Sequence, residues 1–175
     1  MLAEEHRTTL LEVGVGPGRD AIAFRAAGVV TTGVDLSAEH VRLARAAGID
    51  AIQASVFDLP FPDHSFDAVW TMSTLLHIPD GAFDVAIAET VRVARPGAPI
   101  AIGLWGGPDS EGPSERDTIQ PPRFFSFRSD ERLQAMIRPY GEVERFETWT
   151  EPDTDGLHYQ WLDLRAVARP AGSAG

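Results

Sequence analysis

The chain has no cysteine in its 175 residues. That excludes disulfides, thiolate nucleophiles and cysteine-ligated zinc, and it leaves the redox compartment open. No apolar run approaches the ~18–20 residues that span a bilayer, so no membrane partner is expected. The opening residues, MLAEEHRTT, lack the basic and apolar regions of a signal peptide, and a cytoplasmic protein is expected. Basic residues are few, 15 Lys and Arg against 26 Asp and Glu, for a net charge of −11. Without a basic cluster to grip a phosphate backbone, nucleic acid is not the expected partner; the same charge also serves solubility. Internal repeats are absent. The length and the apolar content suffice for one packed domain, expected over residues 1–170, with 171–175 as a frayed tail.

The most informative stretch is LLEVGVGPG at 10–18, followed by RDAIAFRAAG. A short apolar run reads as a strand and the segment after it as a helix closed by Gly28. Glycines between a strand and a helix let backbone N–H groups approach a ligand without side-chain clash. A nucleotide-like ligand is therefore expected near residues 14–18. The dinucleotide fingerprint G-x-G-x-x-G would place its third glycine at position 19, which is Arg19. The spacing is G-x-G-x-G instead, which disfavours an NAD-linked oxidoreductase.

Strand and helix patterns then alternate, predicting an α/β fold with a mostly parallel sheet. Strands are expected at 8–13, 29–35, 50–54, 66–71 and 99–104, and helices at 20–27, 38–47 and from 80 or 81 to before Pro96-Gly97. Ser37 is a good N-cap for the second helix and Gly48 a good stop. Residues 106–122 have almost no apolar content and read as a mobile loop or lid base. A helix follows over 130–138 behind Ser129, then strands at 142–150 and 157–168 joined by a turn at 152–156. Asp35 ends the second strand, 17 positions after Gly18. A carboxylate there suits both hydroxyls of an adenosine ribose; the alternative is that it caps the following helix together with Ser37.

Taken together, Glu12-x-Gly14-x-Gly16-x-Gly18, Asp35 and four later segments resemble the class I S-adenosylmethionine (SAM)-dependent methyltransferases. The segment 54–61 (ASVFDLPF) is similar to the family's adenine cradle, with Ser55 where the family has an aspartate. A hydroxyl still accepts the hydrogen bond required there, and Asp58 is a substitute candidate. FDAV at 66–69 with LLH at 75–77 resembles the fourth-strand motif, and RVARPG at 92–97 the turn before strand five, with Glu89 and Arg92 surface or structural residues. RFFSF at 123–127 before SDERL resembles small bacterial members, whose aromatic segment either lines the acceptor pocket or packs beneath its lid.

The resemblance implies a Rossmann-like, doubly wound sheet of seven strands, mostly parallel with an antiparallel C-terminal hairpin. SAM is the implied cofactor and no metal is implied. Its implied contacts are Glu12 (mainly orienting the glycine loop), Gly14, Val15, Gly16, Gly18, Arg19, Asp35, Leu36, Ser55, Val56, Phe57, Thr71 and Met72. Arg19 is either a partner for the methionine carboxylate or a solvent-exposed side chain. Asp67 is expected to fix loop geometry. His77 is the candidate general base, although a positional role is favoured because this histidine occurs in members with unrelated acceptors. The implied reaction is O-, N- or C-methylation of an unidentified small molecule, with a non-catalytic SAM-binding or regulatory module as the alternative. Family members carry helices before strand one that cover the cofactor, and only about nine residues precede Leu10. That leaves an open site, a homodimer covering the cofactor site, or a shortened form as expectations.

Overall fold

The computed structural model describes residues 5, 7–114, 117, 119–152, 154 and 156–167. The expected tail at 171–175, the end of the last expected strand at 168, and parts of the segments 106–122 and 152–156 lie outside them. The elements run β1 (Thr9–Val13), α1 (Arg19–Ala26), β2 (Val30–Asp35), α2 (Ala38–Ala46), β3 (Asp50–Gln53), β4 (Ala68–Met72), α3 (Asp80–Val93), β5 (Pro99–Gly106), β6 (Ser110–Pro113), β7 (Phe124–Phe127), α4 (Asp130–Ile137), β8 (Gly141–Trp149) and β9 (His158–Ala166).

Seven strands form one sheet in the order β3-β2-β1-β4-β5-β9-β8. The pairs among β1 to β5 are parallel, while β9 runs antiparallel to both β5 and β8. Strand order turns between β1 and β4, which opens a crevice at the carboxyl ends of those two strands. Both faces are covered. Leu11, Val69, Ile100 and Leu162 share one buried cluster with Phe83, Ile87, Leu133 and Ile137 of α3 and α4. Glu12, the next residue along β1, must point the other way, and it meets Asp20 and Ala21 of α1 there. A smaller cluster joins Ala21 of α1, Val41 and Ala44 of α2 and Ala51 of β3.

Local signals account for the helix ends. The Ser37 hydroxyl accepts from His40 N at 3.3 Å and the Ser129 hydroxyl from Arg132 N at 3.3 Å, satisfying N–H groups that a helix leaves free. Asp67 ties the sheet together at the opposite end from the crevice. Its Oδ2 accepts from the backbone N–H groups of Thr8 and Thr9 at 3.2 and 3.1 Å, and its Oδ1 from Arg95. Burial alone would raise this carboxyl, but the Thr9 hydroxyl, 2.9 Å from Oδ2, and those donors hold it well below the usual range. Glu89 and Arg92 bind the loop after β3: Glu89 accepts from Leu59 N at 2.8 Å, and Arg92 donates to Phe61 O at 2.8 Å.

One expectation is corrected. Segment 106–122 does not run wholly as a loop: Gly106 ends β5, and Ser110–Pro113 pairs antiparallel with Phe124–Phe127 as a separate two-stranded sheet. The SEGP stretch shows no apolar alternation because the pairing is held by polar contacts. The Ser126 hydroxyl lies 3.0 Å from both Glu111 Oε1 and Asp80 Oδ1, and Asp80 N donates to Glu111 Oε1 at 2.7 Å.

Candidate functional site

A cavity of about 670 Å³ opens where β1, β2 and β4 end, a size suited to a cofactor or drug-sized ligand. Its inner wall is main chain. The N–H groups of Gly14 and Val15 both donate to Val34 O, at 2.8 and 2.9 Å, which pins the loop after β1 to the end of β2. Gly14 sits at φ +80 and Gly16 at φ +51, backbone that side-chain-bearing residues rarely adopt. A Cβ on Gly14 would overlap the Thr74 side chain, whereas a Cβ on Gly16 would meet nothing within 4 Å. Gly14 is thus required for packing, and Gly16 leaves an open approach.

Asp35 faces that opening. Its Oδ2 accepts from Gly16 N at 2.9 Å and its Oδ1 from Ser37 N at 2.8 Å, with His40 Nδ1 3.4 Å from Oδ1. Two backbone donors therefore orient the carboxylate and leave it lone pairs for a ligand. Beside it Leu36 and Phe57 line the cavity with apolar side chains 73% and 41% exposed. Large apolar groups in the open, converging on one end of a cavity, form a slot for a flat apolar ring. Ser55 and Val56 also line this end. The Ser55 oxygen already accepts from Phe57 N at 3.2 Å, closing the turn after β3 and leaving its hydroxyl proton to donate. An adenosine fits this donor set: a paired-hydroxyl acceptor, an apolar slot and a small hydroxyl at the rim.

Of the residues expected in the site, Gly14, Gly16, Asp35, Leu36, Ser55, Val56, Phe57, Met72 and His77 line the cavity, while Glu12, Val15, Gly18, Arg19 and Thr71 do not. Strand geometry explains most of this. The Val15 side chain turns onto Gly33 of β2, and Gly18 approaches Ile49 and Ala44 beneath the loop. Thr71 alternates with Met72 along β4 and is buried, its hydroxyl unpartnered among the described residues. Arg19 is exposed on the first turn of α1. Glu12 is buried under α1 with Oε2 unpartnered among the described residues. Burial, with Asp20 beside it, pushes its carboxyl up to about 8, against the pull of the Ala21 N–H. Glu12 is therefore mostly protonated at neutral pH.

Sequence reasoning missed Ser37, His40, Thr74, Ile78, Pro79 and Arg123 as lining residues; Ser73, at the carboxyl end of the fourth strand where the methyl donor is expected, does line the cavity. Ser73 is left-handed at φ 52 although it is not glycine, the kind of strain stored at functional sites. The Thr74 hydroxyl lies 3.2 Å from Val13 O and 3.1 Å from Met72 O, beneath Gly14. His40 stands one helical turn beyond the Ser37 cap, the one sequence signal that places it opposite Asp35.

The outer wall is made of side chains. The residues 75–79 and the β6–β7 sheet meet around Arg128, whose side chain is fully buried. Its Nε donates to Asp80 Oδ1 at 2.7 Å and its Nη2 to Ile78 O at 2.7 Å; its guanidinium lies 4.2 Å from the Phe83 ring centre. Arg132 also pairs with Asp80. His77 Nδ1 lies 2.8 Å from Phe124 O. A carbonyl only accepts, so Nδ1 carries the proton and neutral His77 keeps Nε2 as its acceptor. The aromatic segment divides its work: Phe124 lines the cavity, while Phe125 packs edge-on against His77 at 4.7 Å. Among the described residues no group of three or more acidic or His side chains has metal-binding placement, and no helix is long and apolar enough to cross a membrane.

The sequence profile of the family described as "Methyltransferase domain" matches residues 11–102, over half of the chain. The chain belongs to the class I SAM-dependent methyltransferases. A 2-methyl-6-phytyl-1,4-hydroquinone methyltransferase of Synechocystis is 30% identical over 184 residues, covering 94% of this chain and 56% of that protein. The 27-O-demethylrifamycin SV methyltransferase of Amycolatopsis mediterranei is 39% identical over 103 residues, covering 54% of this chain and 37% of that enzyme. The chain thus spans about a third to just over half the length of these two relatives. The fold matches a SAM-dependent methyltransferase of Methanosarcina mazei with a TM-score of 0.79 at 19% identity, covering 91% of this chain and 93% of that one. The family profile, by contrast, spans the glycine loop, Asp35, the Ser55 turn and His77 and ends before β6, β7 and Arg128.

Proposed function

We propose that this chain binds SAM in the cavity and transfers its methyl group to a small organic acceptor. The observation that carries this reading is the Asp35 carboxylate, oriented by Gly16 N and Ser37 N at the β1–β4 crevice beside the exposed apolar pair Leu36 and Phe57. The two curated relatives are both named for small organic acceptors, which supports that class of substrate. When bound, SAM supplies an activated methyl on a sulfonium.

The chain's own residues then have mainly to orient and approach. Asp35 accepts the ribose hydroxyls, and Leu36 and Phe57 flank the base. Ser55 addresses the base rim from its turn. Met72 and Ser73 bound the space at the end of β4 where the reacting atoms meet. A protonated Glu12 stiffens the glycine loop from below without adding charge. His77 holds the 75–79 turn to the β7 backbone through Phe124 O, and its free Nε2 is the available base for an acceptor that must lose a proton. Two separate proposals accompany this reading: a cytoplasmic location, which cell fractionation checks, and, as one alternative to an open site, a homodimer covering the cofactor site, which sedimentation velocity checks.

Calorimetric titration with S-adenosylhomocysteine (SAH), SAM and NAD tests the assignment. SAH and SAM should bind, and either Asp35→Ala or Gly16→Val should abolish binding with the fold retained by circular dichroism. NAD binding without SAM binding sinks the reading. SAM binding with no turnover over a broad acceptor panel favours the non-catalytic module.

A further inference from the structure

We propose that the methyl acceptor is an apolar molecule carrying an acidic oxygen, a carboxylate or a phenolate, and that Arg123 recognises it. The inference rests on the methyl-transfer reading of the same cavity and concerns its outer half.

Charge is divided along the cavity. The carboxylate of Asp35 lies at the inner end and Arg123 lines the outer end, where Phe124 adjoins it in the chain and His77, Ile78 and Pro79 also line the cavity. Among the described residues, no acidic side chain lines that outer part. An anionic group is therefore not repelled there, and an apolar body has Ile78, Pro79 and Phe124 to lie against.

Arg123 is also held in place before any ligand arrives. Its Nε and Nη2 donate to the two oxygens of Asp117 at 2.9 and 3.0 Å, and its backbone N–H donates to Asp117 Oδ2 at 2.7 Å. Asp117 also accepts from Ile119 N at 3.2 Å, and its side chain is 1% exposed. The Asp117 oxygens are therefore occupied and turned into their own loop. The guanidinium carbon lies 5.3 Å from the centre of the Phe125 ring, which in turn packs on His77. Clamped on one edge by a carboxylate and on one face by a ring, the guanidinium has Nη1 without a partner among the described residues. A preoriented arginine donor loses little side-chain freedom on binding and matches a planar oxyanion.

The chemistry of the other candidate acceptors is less well served. An ammonium would face the guanidinium, and a plain alcohol would give it a weaker, uncharged acceptor. An oxygen that is already ionised needs no base, so transfer to it makes no demand on His77 Nε2.

The test uses the whole chain saturated with SAH at pH 8, titrated in a calorimeter with four probes: octanoate, 4-nitrophenolate, 1-octanol and octylamine. Octanoate and 4-nitrophenolate should each bind at least ~10-fold more tightly than 1-octanol, with octylamine weakest, as a charge-assisted hydrogen bond requires. Arg123→Met should remove that ~10-fold advantage, and Arg123→Lys should restore only part of it. Absence of SAH binding to the unaltered chain would overturn the methyl-transfer reading itself. With SAH bound, the inference falls if 1-octanol binds as tightly as octanoate, if no probe binds, or if anion affinity is unchanged in Arg123→Met. Should Arg123→Met fail to fold by circular dichroism, Arg123→Lys decides alone: full retention of the anion preference overturns the proposal.

Discussion

The inner and outer walls of the cavity are built from different materials. On the inner wall the glycine loop is pinned to β2 by main-chain bonds, Gly14 N and Val15 N on Val34 O, and Asp35 is oriented by two backbone N–H groups. On the outer wall the key contacts join side chains to partners some fifty positions away: Arg128 with Asp80, Leu75 and Ile78, and His77 with the Phe124 carbonyl. A main-chain wall persists through most side-chain changes, provided glycine stays where φ is positive. A wall organised around one buried cation has a single point of failure.

Replacing Arg128 by Met is the sharpest way to break this contrast. Asp80 would lose its buried partner and three carbonyls would lose their donor, so stability should fall by about 3–5 kcal/mol, the range for removing one member of a buried ion pair. Urea denaturation reads it directly. A loss below about 1 kcal/mol, the scale of an ordinary surface change, would mean that the outer wall does not depend on Arg128.

The inner wall has its own buried ionisable group, and it responds to pH. Glu12 is raised by burial and by Asp20 to about 8, above the value it takes in the unfolded chain. The folded state therefore keeps a proton that the unfolded state releases, and stability falls as pH rises between the two values. One proton corresponds to a slope on the order of 1 kcal/mol per pH unit inside that window. Glu12→Gln should flatten the stability profile between pH 5 and pH 8; an unchanged slope would remove Glu12 as its source. Asp67 acts in the opposite sense, since its lowered pKa stabilises the fold above the usual carboxylate range and that contribution is lost in acid.

The smallest expected effect belongs to Arg19. It is exposed, and among the described residues its guanidinium has no partner. Arg19→Ala should leave stability within about 0.5 kcal/mol and SAH affinity within roughly twofold, since an exposed charge adds little. A tenfold loss of SAH affinity by calorimetry would bring Arg19 into the cofactor site after all.

Legibility in the sequence followed the same division between the walls. Gly14, Gly16 and Asp35 could be read because the backbone conformation they serve is set by their immediate neighbours. Ser37 and Ser129 marked helix starts for the same reason. Thr71 and Val15 were placed with the ligand contacts although neighbouring positions in a strand or tight loop face opposite ways; each turns into the packing instead. Strand β6 was hidden because SEGP carries no apolar period, and its register depends on Glu111 finding Ser126 and Asp80. Arg128 carried no signal, since an arginine ahead of an N-cap serine reads as an ordinary surface residue.

The sequence by itself determined the alternation of strands and helices, the glycine loop, the acidic end of β2 and the family. All of these rest on hydrophobic period and on backbone preferences that act over a few residues. Only the tertiary structure decided that Glu12 is buried, that His77 is tied to Phe124, and that Arg128 and Arg123 organise the outer wall. Those outcomes depend on desolvation and on polar partners far apart along the chain, and no local pattern specifies which distant oxygen a buried donor will meet.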